Sequence, residues 1–389
     1  MKLVVVINSP LFDASLPLLK RLDKICDLFC LFEVYPQTAN QMGISEESFG
    51  NRNVIDGTEV ASLEKYSDYI PLSKTKIIRF YRPSQLLKHL LMMKYVKKTI
   101  EGLKPDFVYF YNVPYPSLYF AYCSRIPWAM AVHDPQLHSG QDHVGYYKIM
   151  RKLLFRKCDN FFLFSKNLIA GFSNTYSLPI EKIHLTRLGA YEQLKKQSYQ
   201  VDDHRGVNLL FFGRINSYKG LRYLLEAFRM LRKNGYLDVS LTILGKGKIE
   251  EDIVDLNSEG IRIINKFYTT EEFEAEISDS DIVVCPYTDA TQSGVVMSAY
   301  AFDKPCLVTE VGGLTEMVTH LINGYVVPPS DANALYNAIV YIYNHKPIIK
   351  EWQATIHEQY CDGGEYGWDT IACNLLATIN KIINDGNRN

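Results

Sequence analysis

SGVVMSAYAFDKPCLVTEVGGLTE, residues 293–316, is the stretch that decides the fold. It reads as a glycine-opened turn, a short helix, an apolar strand, and a Gly312-Gly313 turn that opens a second helix. Helix N-termini gather unpaired backbone N–H groups and the positive end of the macrodipole. Two such ends at one sheet edge form a seat for a phosphate or carboxylate.

Working outward, short apolar runs alternate with helix-period patterns, the signature of parallel α/β sheets. Upstream, 207–212 reads as a strand, followed by GRINSYKG and a helix with Leu221, Leu224, Leu225, Phe228 and Leu231 on one face. Gly235 stands where a C-terminal cap belongs. Strands at 239–244, 261–265 and 282–286 and helices at 248–257 and 270–278 follow. Beyond the opening stretch come a strand at 325–327 and a helix at 331–343. In the first half the strand candidates are 3–7, 28–35, 106–111, 128–133 and 160–164, with a long loop expected at 37–62 and a polar linker at 195–206. These patterns predict two doubly wound domains, 1–199 and 206–360, with their strand ends and ligand loops facing across a cleft.

The 389-residue length accommodates two ordinary domains, and the 47% hydrophobic, 22% charged composition is that of a globular protein. The formal net charge of -1 makes no case for nucleic acid. Its distribution is uneven. Residues 74–104 sum to +8 and 148–157 to +5, so the remainder is -14. Eight cysteines without a CxxC pair fit buried thiols in a reducing compartment. The apolar run at the start is too short for a signal peptide, and no run approaches a membrane span. The expected location is the cytoplasm, or the inner face of the plasma membrane as a peripheral protein.

Several groups carry chemistry. Gly213 ends a strand, and Arg214 and Lys219 follow it; together they suit a diphosphate clamp, against the alternative of two solvated cations. Gly245-Lys246-Gly247 lacks the third glycine of a dinucleotide fingerprint, since Glu250 takes that place. Asp279-Ser280-Asp281 has the look of an acidic metal pair, but its place between a helix and a buried strand favours a helix end or turn over a metal site. His133, Asp134, His138, Asp142 and His143 form either a metal set or a substrate-facing loop, with His133 at the strand end favoured for substrate contact. Residues 146–157 form a basic amphipathic helix with Tyr146, Ile149, Met150, Leu153 and Leu154 on one arc. Lys148, Arg151, Lys152 and Arg156 fall on the other. This suits an anionic membrane surface or, equally, a helix packed on its own sheet with a solvated face. In the basic segment 74–104 the apolar residues of 84–100 circle the whole wheel, which suits a largely buried helix or one serving both packing and a membrane or lipid-acceptor site.

Taken together, FFGRINSYKG, ILGKG, ATQSGVVMSAYAFDKPCLVTEVGGLTEMV and NGYVVPPSD, in that order, resemble the retaining GT-B glycosyltransferases of the glycosyltransferase family 4 type. AVHDPQLHSG resembles the family's acceptor-side histidine motif. The resemblance implies two Rossmann-like domains with a C-terminal helix, 364–389, crossing back to the first. It implies a hexosyl-type transferase moving a sugar from a nucleotide-sugar, as co-substrate, to a saccharide or lipid-linked acceptor in cell-surface polysaccharide biosynthesis. No metal and no separate cofactor are implied. Gly213, Arg214, Lys219, Ser293, Gly294, Val295 and Val296 would hold the diphosphate, and His133 would contact the transferred sugar. Gly245, Tyr268, Asp289, Gln292, Ser298 and Glu316 are further donor-site candidates. Where the family carries two glutamates, this chain has Ala290 and Ser298. Two alternatives stand beside it. One is an epimerase or hydrolase on the same fold, which would need acid/base carboxylates in the cleft and against which Ala290 argues. The other is a non-catalytic nucleotide-sugar-binding subunit, which the missing glutamates motivate.

Overall fold

The computed structural model describes residues 1–35, 42–81, 85–113, 118–135, 144–195, 206–249, 260–290 and 292–386. These divide into two compact units. The first comprises Met1–Phe164, Leu168–Arg187 and Trp368–Asn389, and the second Ser165–Asn167 and Leu188–Gly367.

The first unit is built on eight strands: β1 (Lys2–Asn8), β2 (Asp27–Val34), β3 (Val54–Asp56), β4 (Thr75–Arg79), β5 (Phe107–Phe110), β6 (Trp128–Val132), β7 (Phe161–Leu163) and β8 (Ile183–Leu185). Their order is β3-β4-β2-β1-β5-β6-β7-β8. Only the β3–β4 pairing is antiparallel. β1 and β5 are apolar through their middles because both faces are covered. On one face lie α2 (Leu86–Leu103), α3 (Leu118–Cys123), α4 (Val144–Phe155) and α5 (Ile169–Tyr176), which share a core with Val4, Val6, Ile78 and Phe110. α1 (Phe12–Ile25) packs against the last helix of the chain, α12 (Trp368–Gly386). Trp368, Ile371, Leu375 and Ile379 form the buried stripe of α12, at the three-to-four spacing of a helix face.

The second unit has an all-parallel sheet of β9 (Val207–Phe212), β10 (Val239–Leu244), β11 (Ile261–Ile264), β12 (Ile282–Cys285), β13 (Cys306–Thr309) and β14 (Gly324–Val327), ordered β11-β10-β9-β12-β13-β14. α6 (Leu221–Lys233) and α10 (Ala332–Asn344) pack side by side over one core, with Trp352 of α11 (Ile348–Tyr360) beneath them. α7 (Thr270–Asp279), α8 (Gly294–Tyr300) and α9 (Leu314–Met317) complete the unit. Thr269 and Glu272 form a reciprocal capping box that starts α7.

Two expectations change. The loop expected at 37–62 contains β3 and several 3-10 turns, with Phe49 and Ile55 buried. β4 and β8 are additional strands, and β4 lies inside the basic segment. The helix expected at 248–257 lies outside the described residues, apart from 248 and 249, which are not helical. The linker falls mostly outside them as well.

Candidate functional site

In each sheet the strand order reverses beside the first strand: β10-β9-β12 in the second unit, β2-β1-β5 in the first. Crevices at the carboxyl ends of strands, at such reversals, are where open α/β sheets take ligands.

In the second unit this edge is assembled around Lys219. β9 ends at Phe212, and the chain turns at Gly213 with φ of 101°. It passes Arg214 and forms a 3-10 turn, Ser217–Lys219, before α6 begins. Two glycines make this route possible. Gly220 has φ of 65°, and a Cβ there would meet the Pro286 carbonyl oxygen at 1.9 Å. A Cβ on Gly245 would stand 2.0 Å from the Gly213 carbonyl oxygen. The glycines of 245–247 therefore serve backbone packing against residues 213–215, where Ile215 N–H donates to the Lys246 carbonyl at 3.0 Å.

Lys219 is only 8% exposed. Its Nζ donates to the Tyr287 hydroxyl at 2.7 Å and lies 4.5 Å from that ring's centroid. Burial pushes its pKa down to about 8; the Cys285 thiol opposes this, and the nearby Arg214 cation adds to it. Arg214 itself is exposed. The edge thus holds a desolvated ammonium beside a second cation, an arrangement that an anion relieves. Tyr287 is positioned by Thr309, whose hydroxyl donates to the Tyr287 carbonyl at 2.6 Å. Neither residue was singled out by sequence reasoning. The available signal was a tyrosine immediately past an apolar strand, in VVCPY.

Ser293 is buried and precedes α8, and its hydroxyl reaches Tyr287 at 3.5 Å rather than capping the helix. Val295 approaches the same edge, since a Cβ on Gly213 would lie 3.5 Å from both its Cγ2 and Lys219 Nζ. Gly294 is exposed, whereas Val296 is buried in the core. The structure therefore brings together Gly213, Arg214, Lys219, Ser293, Gly294 and Val295.

The remaining donor-site candidates divide. Gln292 keeps its Nε2 buried without a hydrogen-bond partner among the described residues. Asp289 is exposed and Ala290 buried. The Ser298 hydroxyl donates to the Gly294 carbonyl at 2.8 Å, one turn back in its own helix. Glu316 accepts from the Ser165 hydroxyl and from the backbone N–H groups of Lys166 and Asn167, at 2.9 and 2.8 Å for the latter two, so it holds that segment of the second unit in place. Tyr268 stacks on Phe273 of α7 at 6.0 Å, and Phe273 in turn contacts Phe212 at the end of β9. Asp281 lies at the other edge of the sheet, accepting the Asn208 N–H at the start of β9. Lys304 donates to the Ser278 and Ser280 carbonyls beside it. The acidic pair is thereby built into a helix-to-strand corner.

The first unit's reversal is equipped differently. Asn8 ends β1 in register with Glu33 of β2. The Asn8 Oδ1 is buried without a hydrogen-bond partner among the described residues. Glu33 is buried and accepts the Tyr35 hydroxyl at 2.8 Å. Past β6, His133 stacks on Phe164 at 4.3 Å, and its Nε2 lies 2.9 Å from the Tyr111 carbonyl. A carbonyl only accepts, so Nε2 carries the proton and Nδ1 is an acceptor. Burial lowers the His133 pKa to about 4, against Asp134 and the Tyr111 hydrogen bond, so the ring is neutral at pH 7. His138, Asp142 and His143 lie outside the described residues.

One further placement is corrected. Arg151, assigned to the solvent arc of the basic helix, is 6% exposed and donates to the Asp134 carbonyl at 2.8 Å. Ile149, assigned to the packed arc, is exposed. A helical wheel separates apolar from charged residues but does not identify which face meets the sheet.

Residues 206–345 match the model of the family described as glycosyl transferases group 1. The amylovoran biosynthesis glycosyltransferase AmsK of Erwinia amylovora is 27% identical over 168 residues, covering 40% of this chain and 41% of the relative. The putative colanic acid biosynthesis glycosyltransferase WcaL of Salmonella typhimurium is 28% identical over 209 residues, covering 51% and 50%. The chain thus spans about half the length, or somewhat less, of these curated relatives. HepE from Anabaena, solved in complex with UDP, superposes with a TM-score of 0.68 at 17% identity, over 98% of this chain and 100% of HepE. The fold is GT-B, with two Rossmann-like units, and the chain resembles the group 1 glycosyltransferases through its second unit.

Proposed function

We propose that this chain is a glycosyltransferase whose second unit binds a nucleotide-sugar by its diphosphate. The observation that carries this reading is Lys219, a buried ammonium held at a sheet reversal beside Arg214 and the exposed Gly294. A buried cation of this kind costs stability unless it acquires a counter-charge. A diphosphate supplies that charge, and stabilising it as a leaving group is electrostatic catalysis that needs neither a metal nor a separate cofactor. Gln292, whose buried amide nitrogen has no hydrogen-bond partner among the described residues, would donate to an oxygen of the donor.

The finer reading is a retaining hexosyl transfer to a saccharide or lipid-linked acceptor in cell-surface polysaccharide assembly. The names of AmsK and WcaL support the polysaccharide context, and the complex of HepE with UDP supports a uridine nucleotide as the first donor to test. His133, neutral and with Nδ1 as an acceptor, suits a hydroxyl of the transferred sugar and not proton donation.

Calorimetry with UDP and other nucleoside diphosphates, followed by an assay of diphosphate release from their sugars with and without chelator, tests the proposal. Binding with acceptor-dependent release is expected. Binding without turnover on any acceptor would convert the reading to a non-catalytic subunit, and absence of binding would remove the donor site.

A further inference from the structure

Half of the exposed large hydrophobic side chains among the described residues lie on three helices of the first unit. On α2, Leu87 and Leu91 are 79% and 64% exposed, and Leu90 and Tyr95 are exposed beside them. The opposite stripe of α2, Met92, Val96 and Ile100, is buried against the sheet. This explains a helix whose apolar residues circle the wheel: one stripe builds the core and the other meets solvent. On α4, Ile149 is 63% exposed and Leu153 is exposed one turn on, while Leu154 and Phe155 enter the core. α3 lies between them. It packs on α2, and its exposed Tyr122 donates to the Leu153 carbonyl at 3.0 Å.

Cations share this face. Lys88, Lys94 and Lys98 of α2 are exposed, as are Lys152, Arg156 and Lys157 at the end of α4. Ile149, Lys152, Leu153, Arg156 and Lys157 fall at the spacing of a single helical face. Residues 118–133 and 144–157 contain no aspartate or glutamate, and the one acid of α2, Glu101, is ion-paired with Lys97 at 2.6 Å. No helix among the described residues is long and apolar enough to cross a membrane.

We infer that this face docks on an anionic lipid bilayer, with Leu87, Leu91 and Ile149 entering the headgroup boundary and the lysines and Arg156 meeting lipid phosphates. Exposed leucines and isoleucine gain by leaving water at an interface, and long basic side chains reach phosphate while their stems lie along apolar surface. The charge distinguishes the occupant. A second copy of the chain, placed symmetrically, would set this cationic face against itself. The inference concerns the first unit alone and does not depend on the donor reading.

Flotation with vesicles tests it, using phosphatidylglycerol-containing and pure phosphatidylcholine membranes. Flotation with the anionic vesicles and little with the neutral ones is expected. Neutralising Lys88, Lys152 and Arg156 to glutamine should lower the partition coefficient about five-fold per charge. Leu87→Ser with Leu91→Ser should lower it at least ten-fold, including at high salt, where a purely electrostatic contact is already lost. Arg151 is left intact because it anchors the Asp134 carbonyl. Unchanged thermal unfolding of both variants, read by circular dichroism, shows that they fold. Equal flotation on both membranes, none on either, or indifference to both variants overturns the inference. So does a concentration-dependent dimer that the serine pair abolishes, which would make this face a self-association surface.

Discussion

The two sheets reverse their strand order in the same way, yet the two reversals are furnished with opposite chemistry. The second unit presents donors: the Lys219 ammonium, the Arg214 guanidinium and the N-terminal end of α8. The first presents acceptors: the Asn8 Oδ1, the Glu33 carboxylate and a neutral His133. Topology supplies a crevice in both cases, and the residues at the strand ends determine what it takes. Donors select an anion, while acceptors select the hydroxyl groups of a polyol.

The sharpest way to break the contrast is through the backbone. Gly220→Ala places a Cβ on the Pro286 carbonyl at a left-handed φ. It should cost about 3 kcal/mol or more and abolish nucleoside diphosphate binding. Denaturant unfolding checks the first effect. A variant of wild-type stability would show that the close approach to Pro286 relaxes freely. Pro10→Gly in the first unit, just past β1 and exposed, should change stability by far less.

The next effect follows from His133. Its folded-state pKa, about 4, lies below the ordinary histidine value of 6.5. Between those values the unfolded chain binds the extra proton, so stability rises with pH through the window and is fully present above it. The difference corresponds to about 3 kcal/mol between pH 6.5 and 4. In chemical denaturation across that range, His133→Gln should show a correspondingly shallower pH dependence. Parallel curves would mean that His133 titrates freely.

The donor side is tested by Lys219. Lys219→Ala should weaken nucleoside diphosphate binding roughly 10- to 100-fold, the range of one charge-assisted hydrogen bond. Because burial sets its pKa at about 8, affinity in the wild type should be level below that pH and fall as the ammonium deprotonates above it. Lys219→Arg should retain charge and flatten the decline. Calorimetry from pH 7 to 9.5 reads both, and a decline shared by the arginine variant would assign the titration to another group.

How much of this was legible follows the same divide. β9, Gly213 and the stripe on α6 could be read from sequence because an apolar run, a glycine and a helix period stand in one short segment. Lys219 was a candidate, but its pairing with Tyr287 spans 68 positions and depends on two loops meeting at Gly220 and Pro286. In the first unit, β4 was hidden because Lys76 and Arg79 punctuate its apolar residues, and those charges pair with Asp56 and Glu46 instead of marking a loop. Arg151 was misplaced for a similar reason, since the Asp134 carbonyl that receives it lies 17 positions away. Local patterns identify elements; the polar contacts that give an edge its character are long-range.

The smallest expected effect is the most discriminating for the acceptor side. Buried Asn8 Oδ1 makes no hydrogen bond among the described residues, so it carries a desolvation cost with no return there. Asn8→Ala should therefore change stability by no more than about 0.5 kcal/mol, unlike the loss of a bonded buried amide. If the oxygen is kept for a ligand hydroxyl, the same substitution should raise KM for the acceptor several-fold while leaving nucleoside diphosphate affinity unchanged. A stability loss above 1 kcal/mol would mean that Asn8 holds the strand end together, and the contrast between the two reversals would then rest on Glu33 and His133 alone.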